Sequence, residues 1–408
     1  MMQLDNQERL KPWMGLVLFA IGLTYLMFGG GYMQKNWGIP GLIATELGFF
    51  AISLVFCLIR KVKIKEVLPI RKPLVSEIIG VLFLSAGGFL LNLLCLGISM
   101  LFVKNVGNRI SDLSNFLYDD SLSALPILLI VSLTPAICEE AFMRGALLSC
   151  FRSLKKDWLI IAIIGIFFGI FHLDPLRFLN TACLGAILAY IMVKKNNILL
   201  PMLMHFINNA ISSGFAIIAR KIAGGTAQMA ETSATAIEST NKFSIFGSYM
   251  MFSFLAPLLL VTGAMFLDRA SHKAKRYLVA GLMSAGLFWG GIAIVSISSF
   301  TSMGNALLNW NYSYVVNEEN YGSKNLAQNE IDVSEEKPYM IVAVASANQT
   351  ELHFKIYDEN KNAVLDQSGT GNLVVSQALT LKPGHYEIAF EAGEEIIGNQ
   401  FTYRVLIQ

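Results

Sequence analysis

Nine apolar runs, each long enough to cross a bilayer, constrain this chain more than any other feature of its sequence. Within a membrane every backbone amide and carbonyl needs a partner inside the protein, so runs of this length are expected to fold as helices. Seven to nine of them are expected to span, because one run is short and the LDP turn that follows it can lie within the membrane. The runs lie at 12–34, 40–60, 76–103, 122–151, 158–173, 175–193, 198–220, 244–267 and 277–301.

The composition indicates a polytopic membrane protein joined to a different kind of domain. Only 15% of the residues are charged and the mean hydropathy is +0.54, values that exclude an ordinary soluble domain. Residues 1–304 contain 25 Lys and Arg against 15 Asp and Glu, whereas residues 305–408 contain 6 against 14. This reversal of charge predicts a domain boundary near residue 305.

Basic residues are concentrated in alternate loops. The amino-terminal segment and the loops 60–72, 151–157, 193–197 and 268–276 hold 17 Lys and Arg, whereas the opposite loops hold seven. The positive-inside rule therefore predicts a cytoplasmic amino terminus, and nine spans would place the carboxyl terminus outside. We expect a multi-pass protein of the plasma membrane, in a bacterial setting, with the lipid bilayer around it and no nucleic-acid partner.

The carboxyl-terminal tail has a different periodicity. From Tyr339 onward, short segments of alternating apolar and polar residues are separated by turn-rich pieces, which predicts a small antiparallel β-sandwich. An acidic module outside the cell is better suited to binding an extracytoplasmic partner than to catalysis. The predicted organisation is therefore amino-terminal membrane helices at 1–121, a catalytic membrane core at 122–220, an outer loop and the last membrane helices at 221–304, a polar linker at 305–338 and the β domain at 339–408.

The run 122–151 carries three ionisable side chains, Glu139, Glu140 and Arg144. Each is costly at membrane depth, by about 3 kcal/mol on insertion scales, so such groups pair, line a cavity or do chemistry. Glu140 and Arg144 are four residues apart and can face each other on a helix. Glu139 is turned about 100° away and is free to point at another helix. A structural acid satisfied by a neighbour is one interpretation of Glu139; a general base or metal ligand is the favoured one, because a second adjacent acid is hard to justify structurally.

Two histidines also lie in apolar runs. His172 follows Phe168 by four residues and His205 precedes Asn209 by four, so each pair shares a helix face. A lone histidine in such a run is more often a satisfied core residue, but three polar sets on three runs predict one site between helices. At 1.5 Å per residue, His205 lies about 10 Å and His172 about 20 Å from the cytoplasmic ends, so a tilted, broken or re-entrant helix is needed to bring them level.

Over roughly residues 122–215, these motifs resemble those of the CAAX protease and bacteriocin-processing family, intramembrane proteases related to the CAAX prenyl endopeptidases. The resemblance implies that Glu139 and His172 activate the attacking water, and that His205 and Asn209 stabilise the oxyanion. It also implies that the second glutamate and the arginine of the first motif support the site. The motifs are EExxxR, FxxxH and HxxxN, formed by Glu139, Glu140, Arg144, Phe168, His172, His205 and Asn209.

The resemblance leaves the use of a metal open. Glu139, His172 and His205 would make an acceptable catalytic zinc site with one open position, although no HExxH motif occurs. The expectation is therefore one divalent metal, such as zinc, or none.

Two classes of function follow from these residues. The favoured one is an intramembrane endopeptidase that hydrolyses a peptide bond of a membrane-associated protein or peptide. The alternative is a non-catalytic membrane scaffold or regulator of a signalling or cell-envelope partner. A transporter is less favoured, because no inverted repeat of interrupted helices is visible in the sequence.

Overall fold

The structure of the chain, a computed structural model, describes residues 10–104, 106, 124–222, 241–268, 273–304, 307–318, 321 and 325–407. Contacts between Cα atoms divide it into two compact units. One unit holds the helices as far as Ile294, and the other holds the β-strands that follow. The predicted outer loop at 221–242 lies almost entirely outside the described residues.

Helices make up the first unit. Two π-helical segments, Tyr25–Gly30 and Ala141–Leu147, continue directly from one helix into the next. The described helices are α1 Pro12–Thr24, α2 Gly31–Trp37, α3 Ile39–Arg60, α4 Ile64–Val67, α5 Val75–Phe102, α6 Ala124–Glu140, α7 Leu148–Phe151, α8 Asp157–Phe171, α9 Pro175–Lys195, α10 Leu199–Ile222, α11 Lys242–Phe252, α12 Ala256–Leu267 and α13 Lys273–Gly304.

Six helical stretches among the described residues are long and apolar enough to cross a membrane. The predicted polytopic helix bundle is thereby confirmed, with fewer such helices than the seven to nine predicted. The other three predicted runs coincide with α6–α7, α8 and α10. Helix α8 has only 15 residues and is about 22 Å long, shorter than the roughly 30 Å of a bilayer core. The six stretches are Pro12–Trp37, Ile39–Arg60, Val75–Phe102, Pro175–Lys195, Lys242–Leu267 and Ala274–Ser299.

The four basic loops meet at one end of the helical unit. Polar side chains from each loop bind residues of another, so the loops that follow α3, α7, α9 and α12 are neighbours. The contacts are the hydrogen bonds of Asn197 with the backbone of Arg71 and of Arg152 with Asn196, and the ion pairs of Lys194 with Asp157 and Asp268.

Helices α8 and α9 form a hairpin that packs closely through glycines. A Cβ atom at Gly165 would lie 2.8 Å from the carbonyl oxygen of Ala182, and one at Gly169 would lie 2.8 Å from the Cβ atom of Ala182. This is the close approach that two small residues four apart allow between membrane helices. This close packing therefore holds the carboxyl-terminal part of α8 against α9.

The second unit is an antiparallel sheet that folds into a nearly closed, sandwich-like domain, as the tail periodicity predicted. The order is β1-β6-β3-β5-β2, and β4 pairs with β3 along the free edge of that strand. On its other edge β3 pairs first with β6 and then with β5. The strands are β1 Leu308–Val315, β2 Asn325–Val333, β3 Lys337–Tyr357, β4 Ala363–Leu381, β5 Gly384–Ala392 and β6 Gln400–Ile407.

The long strand β3 supplies both layers of this domain. Its buried positions are odd-numbered from Ile341 to Ala347 and even-numbered from Leu352 to Ile356, and its register with β4 shifts between Ser346 and Glu351. A shift of one residue turns the apolar side chains to the other face of a strand. Both halves consequently face a single apolar core.

The prediction of a polar linker at 305–338 is wrong for most of the residues that the structure describes in this range. Strand β1 pairs with β6 and strand β2 pairs with β5, so both belong to the domain. The sequence concealed them because β1 is rich in Asn and Ser, and its inward positions are only partly buried. Their periodicity is consequently weak, and pairing with distant strands fixes their conformation.

Candidate active site

The first motif lies where α6 changes into the π-helical segment Ala141–Leu147. Helix α6 ends at Glu140, and every residue of the π-helical segment is buried. Such wide turns are rare and often occur at functional sites. Here the wide turn follows Glu139 and Glu140 directly and carries Arg144.

Glu140 binds two cationic or polar partners at once. Its Oε1 atom accepts a hydrogen bond from Nη1 of Arg144 at 2.8 Å and another from Nδ1 of His205 at 2.9 Å. The second guanidinium nitrogen, Nη2, donates to the carbonyl oxygen of Gly185 at 3.0 Å. The side chains of Glu140 and Arg144 are fully buried. The predicted pair is thus confirmed, and it also holds α10 through His205 and α9 through Gly185.

The same network orients His205 toward Glu139. Because Nδ1 donates to Glu140, the other ring nitrogen, Nε2, is left to face the interior of the site. It lies 4.0 Å from Oε2 of Glu139, a buried oxygen without a hydrogen-bond partner among the described residues. The two adjacent glutamates therefore differ in their contacts: Glu140 accepts hydrogen bonds from Arg144 and His205, whereas Glu139 faces Nε2 of His205 at 4.0 Å.

Phe168 lies at the centre of the three motifs. Its ring is 4.4 Å from Cζ of Arg144, and its centroid is 4.8 Å from the ring of His172 and 5.7 Å from that of His205. Both histidine rings meet its ring edge to face. A guanidinium over an aromatic face contributes roughly 2 kcal/mol when it is desolvated. The ring thus holds the arginine and both histidines in place.

The early end of helix α8 explains how His172 and His205 reach the same level. His172 caps this helix at its carboxyl end, where Nδ1 donates to the carbonyl oxygen of Phe168 at 2.8 Å, so Nε2 carries the lone pair. Leu173, at φ +53°, turns the chain, and Asp174 accepts a hydrogen bond from the backbone of Leu176 to start α9. Because α8 ends at this level, His172 and His205 contact the same aromatic ring.

Of the two neighbouring asparagines on α10, the predicted site residue Asn209 is the less buried. It lies one turn beyond His205 on α10 and is partly exposed. Its neighbour Asn208 is 2% exposed, donates to the carbonyl oxygen of Met204 at 3.0 Å and has an Oδ1 atom without a partner among the described residues. The sequence pattern selected Asn209 by its spacing from His205, and the structure shows that Asn208 is the buried amide of the two.

Sequence reasoning missed two residues of this region. Gly185 accepts the Arg144 bond, and a Cβ atom there would lie 2.7 Å from Cβ of Phe168, so a side chain would displace the ring. Glu46, on α3, is 4% exposed and interacts electrostatically with Glu139. A signal for Glu46 was present, because it is the only acidic residue between Pro12 and Arg60 and lies in an apolar run.

The described side chains do not form a metal site as they are arranged. No group of three or more His, Cys, Asp or Glu residues in the described parts of the chain lies close enough together to hold an ion. One nitrogen of each histidine is already bound to the protein, Nδ1 of His172 to the carbonyl oxygen of Phe168 and Nδ1 of His205 to Glu140. Zinc binding stays a prediction.

Comparison with known proteins agrees with the motifs. Residues 121–211 match the family described as type II CAAX prenyl endopeptidase Rce1-like, and this stretch contains all three motifs. No curated protein matches the chain. The match supports a protease, and together with the apolar helices it supports a multi-pass membrane protein. The match over residues 121–211 to a type II CAAX prenyl endopeptidase Rce1-like domain is therefore consistent with the CAAX protease and bacteriocin-processing family.

Proposed function

We propose that the chain is an intramembrane endopeptidase that hydrolyses a peptide bond of a membrane-associated protein or peptide. The observation that carries this proposal is the division of roles between the adjacent glutamates. Oε1 of Glu140 accepts hydrogen bonds from both Arg144 and His205, although its Oε2 has no partner among the described residues. Oε2 of Glu139 is also buried without a hydrogen-bond partner among those residues, and it lies 4.0 Å from Nε2 of His205. A structural acid would be paired, so an unpaired one beside an oriented histidine suits a general base.

In the proposed reaction, Glu139 takes one proton from a water molecule while Nε2 of His172 accepts a hydrogen bond from the other. The oxygen of that water then attacks the peptide carbonyl carbon, and the carbonyl oxygen becomes an oxyanion. His205 donates from Nε2 to the oxyanion while Nδ1 donates to Glu140; Asn209 is the second proposed donor. When the C–N bond breaks, Glu139 returns its proton to the leaving amine.

Comparing peptides from membranes of cells that express the wild-type chain or the Glu139→Gln variant tests this function. The variant keeps the volume and most hydrogen-bonding capacity of the side chain but lacks the base. We expect new protein termini with the wild type only, and their sequences would identify the substrate. Identical peptide profiles at equal expression would contradict a protease and favour the scaffold alternative, in which partner binding survives the substitution.

Replacing His205 by alanine is expected to lower kcat roughly 10²–10³-fold while KM changes little. The physical reason is that an oxyanion donor acts in the transition state and hardly in the ground state. Steady-state kinetics with the substrate peptide identified in the preceding experiment would measure kcat and KM. An effect confined to KM would contradict the proposed role. A Ser149→Ala variant, which removes a buried hydroxyl that donates to the carbonyl of Gly145, provides a control for packing in the same bundle.

We further propose that the protein lies in the plasma membrane of a bacterium, with the basic loops in the cytoplasm and the β domain outside, where it binds a partner. The clustering of the four basic loops at one end supports this orientation. Protease added to intact cells is therefore expected to remove the β domain and leave the helical unit in the membrane. Immunoblots against tags at each terminus would show the outcome. Complete protection of the tail, with cleavage after the cells are opened, would reverse the orientation.

A further inference from the structure

Glu46 presents a buried acid that the proposed reaction does not use. It is 4% exposed, and its Oε2 atom has no hydrogen-bond partner among the described residues. Leaving such a group unsatisfied costs about 1–3 kcal/mol, and more for a charged one. Neighbouring polar residues on α3 are satisfied within their own helix, for example Ser53, which donates to the carbonyl oxygen of Phe49 at 2.9 Å. Glu46 therefore needs a partner from another helix.

Helix packing places Glu46 beside Glu139. The rings of Phe49 and Phe142 touch, with centroids 5.6 Å apart. Glu46 precedes Phe49 by three residues and Glu139 precedes Phe142 by three, so each acid lies about one turn before this contact. Helices α3 and α6 run in the same direction, because both lead to basic loops at the same end. The two acids consequently lie on the same side of the contact, and they interact electrostatically.

We propose that the carboxyl groups of Glu46 and Glu139 share a hydrogen bond, which makes Glu46 a further positioning residue of the site. One shared hydrogen satisfies two buried oxygens that otherwise lack partners, and it avoids two adjacent buried charges. The bond fixes the orientation of the general base toward the water molecule. This inference rests on the proposed function, because it assigns Glu46 its role through Glu139.

Glutamine and leucine at position 46 give opposite expectations. The amide group of Glu46→Gln can still donate to Glu139, so cleavage is expected to fall by less than about tenfold. Glu46→Leu has no donor and leaves Glu139 free to move, so cleavage is expected to fall on the order of 10²-fold. The readout is the rate at which the wild-type-specific protein termini form in membranes that contain equal amounts of folded full-length chain. Ser53→Ala, on the same helix, is the control and should cleave like wild type.

Two results would overturn the inference: a leucine variant as active as wild type, or a glutamine variant as inactive as the leucine variant. If the leucine variant does not fold, Glu46→Met, which also lacks a donor, replaces it in the same comparison. The Glu139→Gln chain separates this inference from the proposed function. Wild type and Glu139→Gln with equal profiles would refute the function and the inference with it, whereas an inactive Glu139→Gln beside an active Glu46→Leu would refute the inference alone.

Discussion

Replacing Arg144 by alanine is expected to destabilise the protein by about 3–5 kcal/mol and to abolish cleavage. The substitution removes the guanidinium bonded to Glu140 and leaves that fully buried carboxylate with the hydrogen bond from His205. Breaking a buried ion pair from one side has this cost, because the remaining charge has lost its compensation. It also frees the carbonyl oxygen of Gly185 and removes the cation from the face of Phe168. Unfolding in detergent, followed by denaturant titration, would measure the loss.

Arg152 offers a matched control for this experiment. It is an arginine of the same unit, partly exposed, and it donates to Oδ1 of Asn196 at 2.8 Å. Its replacement by alanine should cost about 1 kcal/mol or less. A double variant, Glu140→Gln with Arg144→Met, is expected to recover part of the lost stability, because no charge is then left unpaired within that pair. An Arg144→Ala chain as stable as wild type would show that the pair contributes nothing to folding.

The sequence could predict this pair because helical spacing alone brings Glu140 and Arg144 together. The same reasoning placed Phe168 with His172 on one face, and the contact of their rings agrees with it. Contacts within one helix depend only on its periodicity, which is a property of the local chain. The apolar runs and the alternation of the tail were equally local, and they predicted the helix bundle and the β domain.

Contacts between helices could not be read in this way. That Nδ1 of His205 binds Glu140, 65 residues away, depends on how α10 is rotated against α6. The same rotation makes Asn208 the buried amide, although spacing pointed to Asn209. Gly185 carries no polar side chain, so its role becomes visible only when Arg144 is seen at its carbonyl oxygen. Strands β1 and β2 were missed for a related reason, since distant partners order them.

The two adjacent glutamates should respond oppositely to the same conservative change. For Glu139→Gln we expect a loss of cleavage of roughly 10²–10⁴-fold, the usual contribution of a general base, with stability within about 1 kcal/mol of wild type. The structural reason is that glutamine keeps the side-chain volume and an oxygen that can still accept the proposed hydrogen bond from Glu46. For Glu140→Gln we expect a loss of about 3–5 kcal/mol in stability, because the buried guanidinium of Arg144 would then lack its counter-ion.

This comparison separates catalysis from folding, because the two substitutions are chemically identical and one residue apart. Cleavage rates must be expressed per folded molecule, with folding measured by denaturant titration of the same preparations. If Glu139 were a structural acid, its glutamine variant would lose stability as Glu140→Gln does, and its activity would fall only in proportion. If Glu140 were the base, the two activity losses would be reversed at equal stability. Only a base at Glu139 held beside a structural Glu140 gives an inactive, stable variant at one position and an unstable variant at the next.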